Sequence, residues 1–279
     1  MDSTLLALML VAAVLHAGWN LLVKMSRDKL AMTVLLMLVG GALSLIAIPF
    51  FPAPAWASLP YLAGSVCLQC TYSVLLVRAY GAGDFGRVYP IARGLAPLLV
   101  TLVSTTLIGE SFGRLELAGV LVIALGVVSL VFADRAPLSA ERRPLFYALA
   151  SGVTIGAYTI LDGLGARLSG IPKGYVFWIF AANMLPMTAI LVYGRGREAL
   201  RAMRSEWRRA VIAAVMALSA YGMVIYALSA APMGPVAALR ETSVVFAALL
   251  GALVLKERFG AWRIASAAIV ALGLLLLRL

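Results

Sequence analysis

Four ionisable side chains interrupt runs that are otherwise apolar: Arg93, Asp162, Arg240 and Glu241. A charged group near a bilayer centre costs about 2.5–3.5 kcal/mol on insertion scales, so it persists where it has a partner or a task. Arg93 and Arg240 are the sharpest pair. A guanidinium is planar, always charged and forked, which suits a carboxylate, phosphonate or phosphate group. The structural alternative pairs each arginine with a carboxylate, or with carbonyls freed by Pro90 and Pro235. Glu241 is the first candidate for a membrane carboxylate that takes up a proton, and Asp162 the second. Adjacent helical residues point about 100° apart, so Arg240 and Glu241 are expected to face different partners.

Polar residues at helical spacing surround these four. His16, Asn20 and Lys24 recur every fourth residue, with Trp19 on the adjoining face. Ser65, Gln69, Tyr72 and Ser73 follow the same rule, as do Tyr89 with Arg93, and Thr154, Tyr158 and Asp162. Tyr221 and Tyr226 lie further on. The functional reading is a set of faces lining a polar cavity. The structural one is hydrogen bonding across helices, interface anchoring for the aromatics, and snorkelling for Lys24. The expected substrate-binding set is His16, Trp19, Asn20, Gln69, Tyr72, Tyr89, Arg93, Tyr158, Tyr221 and Arg240. Glu110 and Glu257 fall at helix ends, where loop-side ion pairing is the simpler expectation.

Other motifs carry little. Cys67 and Cys70 form a C-x-x-C within an apolar run, with no preceding strand and no second pair to complete a zinc site, so they read as small helix residues. Gly81-Ala82-Gly83-Asp84-Phe85-Gly86 spells G-x-G-x-x-G without the strand–turn–helix context that a dinucleotide requires. There is no P-loop, H-E-x-x-H or G-x-S-x-G motif. A Ser-His-Asp catalyst would have to use His16, the single histidine, and no nearby nucleophile recommends it. No enzyme activity, cofactor or metal is expected.

The elements that position these residues follow from composition. The chain has 279 residues, 63% apolar and 13% charged, with mean hydropathy +1.01. A soluble domain carries roughly a quarter charged residues, so an integral membrane protein is implied. The net charge of +11 sits in short connections between apolar runs, which argues against nucleic acid as a partner. With His16, Trp19 and Asn20 in the first apolar run and no basic start, a removable signal peptide is not expected. A spanning helix needs about 20 apolar residues. On that ruler ten spans are expected, at 4–24, 31–50, 58–80, 86–108, 114–133, 145–165, 174–194, 210–230, 235–255 and 260–278. Polar faces fall on the first, third, fourth, sixth, eighth and ninth, and Asn183 is the main exception on the rest.

The chain echoes itself at a shift of 147. Arg240 falls on Arg93, Glu257 on Glu110, Phe259 on Phe112, Gly260 on Gly113, and Ala271-Leu272-Gly273 on Ala124-Leu125-Gly126. Two copies of a five-span unit, 1–138 and 139–279, must insert with opposite orientation. The fold expected is therefore an all-α integral membrane protein, with ten transmembrane helices as two inverted five-helix repeats around a central cavity. Connections after odd-numbered spans hold 17 Lys and Arg; the others, with both termini, hold 4. The positive-inside rule then puts both termini outside the cell.

Three stretches, HAGWNLLVK (16–24), SVCLQCTYSVLLVRAYGAGDFGRVYPIARGLAPLLV (65–100) and ALRETSVVFAALLGALVLKERF (238–259), together with the duplication, resemble the EamA-type transporters of the drug/metabolite transporter superfamily. The resemblance covers essentially the whole chain. It implies a ten-helix basket in a bacterial inner membrane, with a central cavity lined by helices 1, 3, 4, 6, 8 and 9. It also implies secondary transport by alternating access, often export of amino acids or related zwitterions and anions. Well-known members have cytoplasmic termini, opposite to the charge count here. The His-Ala-Gly-Trp-Asn start resembles a subgroup linked to phosphonate utilisation, so uptake of a small anion such as an organophosphonate stays open. A non-transporting scaffold or sensor is a further alternative. The partners expected are a small-molecule substrate and the lipid bilayer, with the protein a monomer or homodimer.

Overall fold

A computed structural model describes residues 2–82, 85–133, 142–256 and 260–278. Among these residues all regular structure is helical, as lipid demands of a backbone that must satisfy its own hydrogen bonds. Ten α-helices follow in order: α1 (Ser3–Lys24), α2 (Lys29–Ala47), α3 (Leu59–Ala82), α4 (Phe85–Val103), α5 (Arg114–Ser129), α6 (Arg142–Leu168), α7 (Pro172–Ala230), α8 (Met233–Glu241), α9 (Ser243–Leu255) and α10 (Ala261–Arg278). Seven stretches among the described residues are long and apolar enough to cross a membrane: Ser3–Lys24, Lys29–Phe50, Pro90–Ile108, Leu145–Leu168, Glu206–Ala230, Met233–Leu255 and Ala261–Arg278. Helical backbone also covers the expected spans at 58–80, 114–133 and 174–194.

Two boundaries differ from expectation. The seventh and eighth spans were expected as separate helices, but helical backbone runs through all 59 residues of α7. Residues 195–209 are rich in Arg, Glu, Ala and Met, which are good helix formers, and they contain no proline. The helix nonetheless doubles back. Phe180 and Tyr221 would lie about 60 Å apart on a straight helix, yet their ring centroids are 6.3 Å apart. Gly222 likewise packs against Val176. α7 therefore has two arms that lie side by side. The ninth expected span is instead two helices, α8 and α9, meeting at Thr242. There the amide of Thr242 donates to Leu239 O at 3.1 Å, a tighter turn than the α-helical one, and its hydroxyl donates to the same carbonyl at 2.7 Å. α8 is buried along its whole length.

Several contacts repeat between the halves. α5 packs on α10, its counterpart at the shift of 147: Gly119 lies against Gly273 and Leu277, Gly126 against Val270, and Ser129 Oγ is 2.7 Å from Ser266 Oγ. Rising numbers on one helix meet falling numbers on the other, so the two run antiparallel. α2 packs against the first arm of α7 through Gly40 on Phe180 and Gly41 on Met184. α1 lies on the second arm of α7 and on α8 and α9, while α6 lies on α3 and α4. Local conformation repeats as well. Gly109, after α4, has φ +80°, and Lys256, 147 residues later at the end of α9, has φ +54°. A lysine in the left-handed region is uncommon and marks a turn held by its surroundings.

Small residues let these helices approach closely, the usual solution where lipid removes the hydrophobic drive for helices to associate. A side chain at position 273 would meet the backbone of Gly119 and Ile123. Gly273→Leu should therefore destabilise the protein by about 1–3 kcal/mol or more, seen as a lower unfolding temperature in detergent. Gly260→Ala, with open space around the added carbon, should leave that temperature unchanged.

Candidate functional site

Charge and polarity converge in two adjoining groups joined by one turn of α6. The first is built by α4, α8 and the start of α9. Glu241, fully buried, lies 2.5 Å from Arg93 Nε, and its other oxygen is 3.4 Å from both Nε and Nη2 of Arg240. Arg93 Nη2 also donates to Ser243 Oγ at 3.1 Å. Arg93 is 4% exposed and Arg240 3%, so all three charges are out of contact with solvent. Arg240 rests over the ring of Tyr158 at 5.8 Å, a cation–π contact. Tyr158 meets Tyr72 edge-on at 6.3 Å. His16 lies close enough to Arg93 and Arg240 to feel their charge.

The sequence explains why these groups can meet. Pro97 has no amide to satisfy the carbonyl four residues earlier, which loosens α4 at the turn that carries Arg93. The break between α8 and α9 puts Glu241 at a helix end. Arg240 and Glu241 therefore pair with each other, contrary to the expectation that they would face different partners. The 100° rule governs Cβ directions, but here the helix ends at Glu241 and both side chains are long enough to curl together.

The second group centres on Asp162, also fully buried. Tyr221, from the second arm of α7, donates a short hydrogen bond to Asp162 Oδ2. Gln69 of α3 donates to the same oxygen at 3.4 Å and to Ser65 Oγ at 2.9 Å. Asn183, from the first arm of α7, donates to Gln69 Oε1 at 3.1 Å. Asp162 Oδ1 and Asn183 Oδ1 are buried without a hydrogen-bond partner.

Of the expected site residues, Arg93, Arg240, Tyr158, Tyr72, Gln69, Tyr221, Glu241 and Asp162 fall in these two groups, with His16 within electrostatic reach. Asn20 does not join them through its amide, which donates to the carbonyl of His16 on its own helix at 2.7 Å. Trp19 packs edge-on against His16 at 4.9 Å and beside the apolar core. The side chain of Tyr89 and part of the 81–86 glycine run lie outside the described residues.

Sequence reasoning missed Ser243 and gave Asn183 too little weight. Asn183 stands alone on its arm, so spacing gives no signal, and Ser243 looks like any small residue near a helix end. A third cluster holds Glu110, where an ion pair at a helix end was expected; its partners were not. Arg167, at the end of α6, pairs with Glu110 at 2.6 Å and donates to the carbonyls of Leu228 and Ala231, each at 2.9 Å. The other oxygen of Glu110 accepts the first amide of α8, from Met233, at 2.8 Å. A carboxylate at a helix N-terminus is favoured by the exposed amides and the helix dipole. This clasp ties the ends of α4, α6 and α7 to the start of α8.

Residues 142–279 match the model of the EamA-like transporter family. A solved crystal structure, described only as that of a protein, is similar over 99% of this chain and 96% of its own, with a TM-score of 0.75 and 17% identity; at that identity the likeness is one of fold. No curated protein matches the chain.

Removing the shared carboxylate should be costly. Glu241→Gln leaves two buried guanidiniums without their counter-charge, and loss of about 3–5 kcal/mol is expected. Unfolding of the purified protein in detergent measures it. The Arg167–Glu110 pair, partly exposed on the arginine side, should cost less when Glu110→Gln is made.

Proposed function

Residues 142–279 place this chain in the EamA-like transporter family, and on that premise we propose that this multi-pass membrane protein is a secondary transporter of a small polar metabolite bearing an anionic group. The observation that carries the reading is the pair Arg93 and Arg240. They stand at corresponding places in the duplicated sequence, are buried, Arg93 within α4 and Arg240 in the last turn of α8, and share the single carboxylate of Glu241. Two guanidiniums against one carboxylate suit the transient seating of a substrate carboxylate or phosphonate. Tyr158 and Tyr72 supply aromatic surface beside it, and His16 a further polar group. An amino acid or related zwitterion fits, with the polar amides of Gln69 and Asn183 in the adjoining group.

The mechanism proposed is alternating access, with two inverted five-helix repeats, 1–138 and 139–279, rocking about the arginine pair. The antiparallel packing of α5 on α10, the matched left-handed turns at Gly109 and Lys256, and the parallel pattern of α1 and α6 contacts support a pseudo-two-fold arrangement. So does the start of the family match at residue 142, near the proposed boundary. The setting is a bacterial inner membrane. The 17-to-4 division of loop Lys and Arg favours both termini outside.

Thermal-shift screening of amino acids, organic acids and phosphonates against purified protein identifies the compound to load in vesicles. Saturable flux of that compound is the expected result. Arg93→Ala and Arg240→Ala should each weaken binding roughly 10- to 100-fold, since a charge-assisted hydrogen bond contributes about 1.5–3 kcal/mol. Unchanged binding in both variants removes the arginine assignment. A C-terminal tag that antibody reaches on spheroplasts without permeabilisation checks the orientation; a tag reached only after permeabilisation reverses it.

A further inference from the structure

Two carboxylates are fully buried among the spans, and their surroundings give them different roles. Glu241 sits between two guanidiniums, at 2.5 Å and 3.4 Å. Asp162 has no cation within ion-pair distance among the described residues. Its hydrogen-bond partners are all neutral. Tyr221 and Gln69 both donate to Oδ2, and the same Gln69 amide donates to Ser65 Oγ. Oδ1, by contrast, is buried and has no hydrogen-bond partner. An ionised carboxylate in such a place would leave half of its charge unsatisfied, at a cost of several kcal/mol. Placing a proton on Oδ1 removes the buried charge, leaving a neutral O–H there while Oδ2 accepts from the donors.

The other groups around Asp162 are consistent with a site that exchanges a proton rather than one locked in a single state. The titratable side chains near it are Tyr221 and Tyr175 of α7, Tyr158 on α6 itself and Tyr72 on α3, which meets Tyr158. The only positive charge that acts on it among the described residues is Arg240 of α8, beyond contact distance. Arg93 and Glu241 act on Tyr158, one turn along α6 from Asp162.

We propose that Asp162, not Glu241, is the proton carrier of this protein, binding a proton on Oδ1 and releasing it when the surrounding helices rearrange. This rests on the transporter reading above for the rearrangement, but not for the protonation. Only an O–H bond forms and breaks; the proton comes from water on one side of the membrane and returns to water on the other. Glu241 lies between the two arginines as their counter-charge. Arg240 links the two sites. An anion seated at the arginine pair offsets the positive field that favours ionised Asp162, so anion and proton bind cooperatively and each strengthens the other equally. A univalent anion then crosses with its proton as a neutral pair.

The test needs no substrate. Infrared difference spectra of the full protein in lipid nanodiscs, taken between mildly acidic and mildly alkaline buffer, report the carbonyl stretch of a protonated carboxyl. The expected result is a titrating band, slow to respond to deuterium exchange, that is lost in Asp162→Asn and retained at a shifted frequency in Asp162→Glu. Asparagine is nearly isosteric with aspartate, and its fold is checked by an unchanged unfolding transition. A band that persists in Asp162→Asn, or no titrating buried carboxyl in the wild type, overturns the proposal and leaves the anion site of Arg93 and Arg240 standing. Loss of the band in Asp162→Asn alongside unchanged anion binding in the arginine variants does the reverse.

Discussion

The pairing of Glu241 with Arg93 and Arg240 is the constraint on which the interior depends. Three charges are withdrawn from water, and each is tolerable only because the others are there. The pairing fixes α4 against α8, since Arg93 comes from one and Glu241 from the other. Arg240 and Glu241 are neighbours within α8 and meet because both side chains are long enough to bend together. Tyr158 closes the group from α6 by lying under Arg240.

Around that centre, packing relies on small residues more than on large ones. Glycines of α5 and α10 bring their backbones together, those of α2 receive Phe180 and Met184 of α7, and Gly152 and Gly156 of α6 receive α4. Contacts of this kind bring helices close without committing charge, and the polar groups then tie particular pairs. The Arg167–Glu110 clasp does so at the helix ends, joining α6 to the start of α8. α8 is thus held at both of its ends by ion-paired carboxylates, Glu110 at the first and Glu241 at the last. An element so short and so buried is held by its partners more than by its own helical preference.

Asp162 and Glu241 illustrate how environment assigns a role to residue type. Both are carboxylates in apolar surroundings and both are out of contact with solvent. One lies between two guanidiniums. The other is met on Oδ2 by a tyrosine hydroxyl and an amide, with Oδ1 left without a hydrogen-bond partner.

Much was legible in the residues alone. Apolar runs of spanning length and charge confined to connections gave a helical membrane protein, because lipid leaves the backbone few choices. The types of Arg93, Arg240, Glu241, Asp162, Gln69 and Tyr221 marked them, since polar groups in apolar helices are costly. Partnership was not legible. Spacing says which residues share a face of one helix, but not which faces of different helices meet. Asn20 donates to its own backbone, whereas Asn183 donates both to its own backbone, at Ile179 O, and to Gln69. Nor could spacing show that α8 ends at Glu241, or that α7 folds its two arms together. Those depend on contacts between residues far apart in sequence, such as the 150 positions separating Arg93 from Ser243, and such contacts exist only once the helices have packed.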